Sequence, residues 1–468
     1  MITGVTMNIK FFGATKEVTG SCHLIQVNNK NILLECGMFQ GSREHEKHNH
    51  EPFPFDVSEL DAVIVSHAHL DHTGRLPMLI KEGFHGSIYT HHATVDLCEI
   101  MLVDSGYIHE KEALWENKKR ERKGLELIEP LYTTEDAKRT VQYFKGLDYD
   151  QELEVCEGVT LTLRDAGHII GSAIVELTLV EDGVTKKVVF SGDLGHKNAP
   201  ILRDPYKIKY ADLVVMESTY GDRLHRSWED TWREMGEIIA HAKSSKGNIL
   251  IPAFTVGRTQ EILYEFNRHF EEWQLGDWQI FLDSPMGIKA TKVYAKHSEV
   301  YDKQATSVKA SHDGLFDLPN LHMSEATEYS MKINQINSGA IIIAGSGMCT
   351  GGRIKHHFKH NIWRKNAHVL IVGFQARGTL GRALVDGAKS ISLWGEKMQV
   401  NAKIHTVGGF SAHADQEGLL DWYQGFENKP PVVLVHGEGE AMDVLAQKLK
   451  HEYEADVVQA SYKQSVAI

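Results

Sequence analysis

Three histidines and an aspartate fall within six residues, His67-Ala-His69-Leu-Asp71-His72, directly after the β-rich run Asp61-Ala-Val-Ile-Val-Ser66. A turn leaving a strand can send His67 and His69 one way and Asp71 and His72 another, so one loop can supply ligands to two neighbouring metal sites. Imidazole and carboxylate together suit Zn²⁺, with Mn²⁺ or Fe²⁺ as alternatives. A histidine-rich surface turn is the competing reading in a chain with 27 histidines. The fixed spacing beside a strand outweighs it. Two sites need more ligands than this loop holds, so the fold must bring the ends of other strands to it.

The remaining composition sets outer bounds. At 468 residues and 42% hydrophobic, the chain can bury ample core and is expected to form two or three domains. No run of 18 apolar residues exists, and Met1-Ile-Thr-Gly-Val-Thr-Met7 lacks the basic flank and apolar core of a signal peptide. A soluble, cytoplasmic protein with no membrane partner is therefore expected. Cys22, Cys36, Cys98, Cys156 and Cys349 are scattered, odd in number and without a C-x-x-C pair. They are expected to be reduced and mostly buried, since neither a disulfide framework nor a thiolate zinc site is indicated. A net charge of −13 argues against non-specific coating of nucleic acid but leaves room for a local basic groove.

Short β-like runs separated by turns occupy residues 7–13, 22–27, 31–35, 62–66 and 87–90. Residues 105–150 change texture, and the nearly all-charged stretch 109–123 predicts a solvated helical excursion. Strands resume at 159–163, 173–180 and 187–190, the last two joined by the hairpin signal Glu181-Asp182-Gly183. From Leu213 onward strand and helix alternate: 213–217 and 228–243, 249–251 and 259–270, 280–282 and 286–297, 340–344 and 353–361. This spacing predicts a parallel sheet with covering helices, hence a second domain. Short strands return at 399–407 and 432–436, followed by a helix over 439–453.

Two further residues complete a ligand set. His168 lies in Asp165-Ala-Gly-His168-Ile-Ile-Gly-Ser172, and Asp193 lies in Phe190-Ser-Gly-Asp193-Leu-Gly195, each flanked by glycines that let backbone approach closely. Either alone reads as an ordinary turn residue. With the first cluster they make a coherent site.

At this point the chain resembles the metallo-β-lactamase-fold hydrolases. Glu35 in Leu33-Leu-Glu35-Cys-Gly37, the His67 to His72 cluster, His168 and Asp193 fall in order on that superfamily's first four motifs. Val214-Val-Met-Glu217-Ser-Thr-Tyr-Gly-Asp222, Phe410-Ser-Ala-His413-Ala-Asp415 and Val433-Leu-Val-His436-Gly-Glu438 resemble the three additional motifs of the β-CASP nucleases. These are relatives of the cleavage-and-polyadenylation endonuclease and of bacterial RNA-processing exonucleases. The likeness covers nearly the whole chain, including Ile251-Pro-Ala-Phe-Thr-Val-Gly-Arg-Thr-Gln260 and Gly373-Phe-Gln-Ala-Arg-Gly-Thr-Leu-Gly-Arg382.

The resemblance implies an α/β protein: an αββα sandwich formed by residues 1–209 and 389–468, with a parallel-sheet β-CASP domain inserted at 210–388. It implies two Zn²⁺, one held by His67, His69 and His168, the other by Asp71, His72 and His436, with Asp193 bridging. Cations about 3.5–4 Å apart can share a hydroxide nucleophile and clamp a phosphodiester, and Asp71 is implied to help orient that hydroxide. Glu217 and His413 are implied to be a carboxylate–imidazole pair that delivers a proton to the departing 3′ oxygen. Glu35 departs from the family's usual Asp. It is implied to anchor the ligand loop without binding metal.

Histidine at position 436, where the DNA-repair branch generally has an apolar residue, implies RNA as substrate. The run Ile342-Ile-Ala-Gly345-Ser346-Gly347-Met-Cys-Thr-Gly351-Gly352-Arg353 offers a strand, a glycine-rich turn and a basic helix start, suited to phosphate. A dinucleotide site is disfavoured because the fingerprint's glycine and later acid are missing. Arg258, Arg353, Arg377 and Arg382, with Lys355, His356 and Lys359, are expected to form a basic rim.

The expected activity is hydrolysis of single-stranded RNA in a cleft between domains, endonucleolytic or 5′-to-3′ exonucleolytic, leaving 5′-phosphate and 3′-hydroxyl. A homodimer is compatible with this reading. The competing readings are a DNA nuclease or a small-molecule hydrolase of the same fold, and a scaffold without catalysis. The second domain argues against the small-molecule hydrolase, and the full ligand set against the scaffold.

Overall fold

The computed structural model describes residues 7–311 and 314–468. The chain divides into two compact units, one made of the residues up to Lys197 with Arg203–Leu224 and His413–Ile468, the other of Asn198–Leu202 and His225–Ala412.

The first unit holds two seven-stranded sheets. One runs, in spatial order, Ser465–Ala467, Asn8–Phe11, His23–Val27, Lys30–Leu34, Ala62–Ile64, Ser87–His91, Phe144–Leu147. The other runs Val457–Gln459, Val432–Val435, Leu213–Glu217, Val184–Phe190, Ala173–Glu181, Val159–Asp165, Glu152–Cys156. Alternation places Ile9, Ile25, Ile32 and Ile64 of the first sheet in one core with Leu161, Val175, Leu177, Val188 and Val215 of the second. The opposite face of the second sheet buries Ile174, Val189, Val214, Met216 and Leu434 against helices Gln416–Tyr423 and Gly439–Tyr453. Leu213–Glu217 and Val432–Val435 are thus covered on both faces, which is why they read as unbroken apolar runs. Helices Leu76–Lys81, His92–Arg122 and Thr134–Val141 pack together beside the first sheet. This is the expected αββα sandwich.

The second unit is built on a six-stranded sheet in the order Leu321–Met323, Gln279–Leu282, Ala340–Ala344, Ile249–Pro252, His368–Ile371, Lys403–Thr406. Every pairing in it is parallel. Helices intervene between strands as the alternation predicts; Trp228–Ser244 starts where the Ser227 hydroxyl accepts the Asp230 N–H.

Three features differ from the sequence reading. The stretch taken as a helical excursion contains a longer helix, His92–Arg122, whose first half is buried, and a strand, Phe144–Leu147, that pairs with Ser87–His91. Pairing with a distant strand, not local pattern, makes that segment β. Strand Lys403–Thr406 hydrogen-bonds to His368–Ile371, so the second unit extends to Ala412 instead of ending at 388. The last strand, Ser465–Ala467, closes the edge beside Asn8–Phe11. The hairpin signal at 181–183 holds: Asp182 and Gly183 both take positive φ between the paired strands. Cys22, Cys36, Cys98 and Cys349 are buried and Cys156 partly so. No helix among the described residues is long and apolar enough to cross a membrane.

Candidate metal centre

Strand ends of the first unit deliver the polar cluster. Glu35 follows Lys30–Leu34, the His67 to His72 loop follows Ala62–Ile64, and His168 and Asp193 lie just past Val159–Asp165 and Val184–Phe190. Glu217 ends Leu213–Glu217, and His436 follows Val432–Val435. Parallel pairing of Leu213–Glu217 with Val432–Val435 brings the last two together, sealed by Ser218 N–H to the His436 carbonyl at 3.1 Å. Glu35 and His436 take positive φ (63° and 50°), a left-handed conformation that side chains other than glycine adopt only where their surroundings hold it. Gly37 is needed for a different reason. A Cβ there would lie 1.6 Å from the Asp71 carbonyl oxygen, so only glycine lets the two loops meet.

All seven residues expected as ligands come together. His67 Nε2 and His168 Nε2 lie 3.1 and 3.2 Å from His69 Nδ1. His72 Nε2 and His436 Nε2 are 3.2 Å apart, and Asp71 Oδ2 lies 3.7 and 3.5 Å from them. Asp193 sits between the groups, with Oδ2 3.4 Å from His67, 3.4 Å from His72 and 3.5 Å from His168, and Oδ1 3.7 Å from His436 Nδ1. The donor atoms of His67, His69, His168 and Asp193 are mutually within 4.8 Å, as are those of Asp71, His72 and His436.

Divalent cations fit this arrangement. Ring nitrogens of five histidines face one another in a largely buried cluster, and Asp193 Oδ1 is buried with no hydrogen-bond partner. Burial holds His67 well below the usual imidazole range, the neutral form a ligand requires.

The opposite ring nitrogens are held as well. His67 Nδ1 is 3.0 Å from Ser66 Oγ, and His436 Nδ1 is 3.0 Å from Thr219 Oγ1. His72 Nδ1 bonds the Glu35 carboxylate, which also accepts the Ser66 N–H (2.5 Å) and hydroxyl (3.1 Å). Such partners fix the tautomer and aim the free nitrogen inward. Glu35 therefore sits behind the loop, and its extra methylene is accommodated. Sequence reasoning missed Ser66 and Thr219; their one signal was position, Ser66 next to His67 and Thr219 two residues after Glu217.

Beside the cluster, His413 Nδ1 lies 3.2 Å from both Glu217 oxygens and 3.8 Å from Asp193 Oδ2. Glu217 is fixed by the Leu194 N–H at 2.6 Å, and His413 docks on the same loop through its bridge with Gly195. Burial opposes charge on His413, but Glu217 and then Asp193 outweigh it and raise the imidazole to about 9. The Glu217 carboxylate thus favours the proton-bearing form of the ring.

In the second unit, Gly345, Ser346, Gly347, Gly351 and Gly352 form the turn after Ala340–Ala344, closed by Gly351 N–H to Ser346 Oγ at 3.1 Å. Two arginines expected on its rim are engaged internally. Arg353 donates to Asp283 Oδ1 (2.6 Å) and to the Ser324 and Glu325 carbonyls, and Arg258 is buried between Glu261 and the Phe410 ring. A buried guanidinium needs such partners more than a solvated ligand does. Arg382 pairs with Asp386 at the surface, and Arg377 is exposed.

Comparison with known proteins agrees with this geometry. A metallo-beta-lactamase superfamily domain matches residues 24–211, a Beta-Casp domain 259–384, and a Zn-dependent metallo-hydrolase RNA specificity domain 397–459. Ribonuclease TTHA0252 of Thermus thermophilus is 39% identical over 443 residues, covering 95% of this chain and 96% of the relative. Transcription termination factor FttA of Methanocaldococcus jannaschii is 30% identical, covering 92% of this chain and 67% of that longer protein; its Thermococcus kodakarensis counterpart is 31% identical with the same coverage. A crystal structure of a protein of unknown function from Enterococcus faecalis shares the fold, with a TM-score of 0.57, 12% identity, and coverage of 99% of this chain and 100% of that one. The converging ligand loops and the matches along the chain lead to one assignment: it belongs to the β-CASP family of metallo-β-lactamase-fold ribonucleases and is a metal-dependent hydrolase.

Proposed function

We propose that this chain is a two-zinc ribonuclease that hydrolyses phosphodiester bonds of single-stranded RNA, leaving a 5′-phosphate and a 3′-hydroxyl. The observation that carries this reading is the His413–Glu217 pair set against Asp193 at the edge of the seven-ligand cluster. In this reading His67, His69 and His168 would hold one ion and Asp71, His72 and His436 the other, with the Asp193 carboxylate within reach of both groups. Bound there, the cations supply Lewis-acid polarisation of the phosphodiester and activation of water.

The protein's own groups do the rest. Glu217 accepts a hydrogen bond from His413 Nδ1 and favours the cationic ring, which can protonate the departing 3′ oxygen. Thr219, Ser66 and Glu35 hold the ligand rings in register while charge builds. Asp71 faces the His72 and His436 nitrogens and can orient the attacking water. Support for RNA over DNA comes from His436 in its motif, from the matched RNA specificity segment, and from the Thermus relative named a ribonuclease. Backbone of the Gly345–Gly352 turn, with exposed Arg377, is the phosphate-contacting element of this reading.

The test is to incubate end-labelled single-stranded RNA and matched DNA with zinc-loaded wild type and with His413→Ala, and to map product ends. Cleavage of RNA alone is expected, reduced about 10²- to 10⁴-fold in the variant at unchanged metal content. Equal cleavage of both polymers would overturn the RNA assignment, and an undiminished variant would remove His413 from proton transfer.

A further inference from the structure

Three neighbouring parallel strands of the second unit, Ala340–Ala344, Ile249–Pro252 and His368–Ile371, end at the same edge of its sheet. From Ile249–Pro252 the chain goes on to Gln279–Leu282 on one side of it, whereas from the neighbouring His368–Ile371 the next strand of the sheet, Lys403–Thr406, lies on the other side, so the winding direction reverses between these two strands. In open parallel sheets, ligands bind outside the carboxyl ends of the strands at such a reversal. The loops there carry Phe254, the Gly345–Gly352 turn and Phe374.

Both phenylalanines face solvent, Phe254 at 40% and Phe374 at 55% exposure, although each lies in the short loop just past a fully buried strand. The surrounding chain is built around the first ring. A Cβ on Gly347 would lie 2.7 Å from Phe254 Cδ2, and one on Gly373 would lie 3.5 Å from Cε2, so the ring rests on two glycines from the flanking loops. Gln375, itself buried, ties those loops together by donating from Nε2 to the Gly347 carbonyl (2.9 Å) and the Gly373 carbonyl (3.1 Å). Thr259 anchors the Phe254 carbonyl through its hydroxyl at 2.7 Å and its N–H at 3.2 Å. The Phe254 ring is therefore seated at the surface on hydrogen-bonded backbone beside a polar turn, and Phe374 stands exposed on the adjoining loop, three residues from the exposed Arg377.

We propose that Phe254 and Phe374 form a base-stacking platform beside the Gly345–Gly352 turn, taking nucleobases of single-stranded RNA while the turn and Arg377 face its phosphates. The ligand class rests on the ribonuclease reading above. Stacking on an aromatic face accepts any base, so the platform contributes affinity without sequence preference, and rings fixed in advance lose little freedom on binding. It also requires an unpaired strand, because bases inside a duplex present no free face.

The test uses full-length, zinc-loaded protein carrying His413→Ala to suppress turnover. Dissociation constants are measured for a short oligoadenylate and for an oligomer of equal length with an abasic ribose-phosphate backbone. Phe254→Leu and Phe374→Leu are expected each to weaken oligoadenylate binding about tenfold and to leave the abasic oligomer unaffected, whereas Phe254→Tyr and Phe374→Tyr keep the preference for bases. Leu variants that retain the full preference, Tyr variants as poor as Leu, or equal weakening of both oligomers would each overturn the platform. If wild type cleaves RNA while the Leu variants keep their base preference, the platform alone fails; a wild type that neither binds nor cleaves RNA overturns both readings.

Discussion

At the scale of single residues, the centre depends on atoms with no alternative role. Asp193 is the clearest case, since its carboxylate lies within 3.7 Å of nitrogens from His67, His72, His168 and His436. Asp193→Ala is expected to lower metal content from about two ions per chain to one or fewer, measured by elemental analysis. Full retention would remove Asp193 as the shared ligand. Gly37→Ala tests the loops behind the centre. The added methyl would collide with the Asp71 carbonyl, so a loss of stability of about 1–3 kcal/mol is expected in denaturant unfolding, together with weaker metal binding. Unchanged stability would show that the loops can separate freely. These residues were legible in the sequence because ligand types at fixed spacing are rare by chance. Ser66 and Thr219 were not, since a hydroxyl beside a motif has no distinguishing pattern until its ring partner is in place.

At the scale of elements, paired strands of the second unit set a pH response distinct from the metal centre. His368 starts Ile249–Pro252's neighbour His368–Ile371, buried, with its Nδ1 2.9 Å from His405 Nε2 and its Nε2 2.9 Å from Ser245 Oγ. Burial first, then His405, Lys403 and His241 depress its pKa to about 4. The fold thus favours neutral imidazole, and the unfolded chain binds the extra proton. Stability from this group is complete above the ordinary value near 6.5 and is lost as pH falls from there towards 4, by of order 2–3 kcal/mol. Unfolding free energies measured across that window should slope upward with pH, and His368→Gln should flatten the slope by about one proton's worth. An identical slope in the variant would refute the assignment. None of this could be read from local sequence, because His405 reaches His368 only through the parallel pairing of Lys403–Thr406. The same pairing carried the second unit past its sequence-based limit. Phe144–Leu147 was missed on similar grounds, being four residues whose β character comes from Ser87–His91.

At the scale of the whole molecule, the proposed ligands come from positions 67 to 436, so a bound metal would staple distant parts of the first unit together. Stripping metal with a chelator is expected to lower the unfolding temperature of the first unit, with about 3–4 kcal/mol recovered at zinc concentrations 100 to 1,000 times the dissociation constant. Calorimetry with and without zinc checks this; coincident transitions would mean that the cluster holds no ion that matters to folding.

The sequence alone determined the chemistry, because imidazole and carboxylate types, their spacing and the glycines beside them are covalent facts independent of conformation. It also determined the strand–helix alternation of the second unit, where each element is long enough to show its own period. Tertiary structure decided which distant strand ends meet: Glu217 beside His436 through one parallel pairing, His413 beside Asp193 through a short bridge, and Arg353 paired with Asp283. Those outcomes are governed by pairing across long stretches of chain, of which local pattern carries no record.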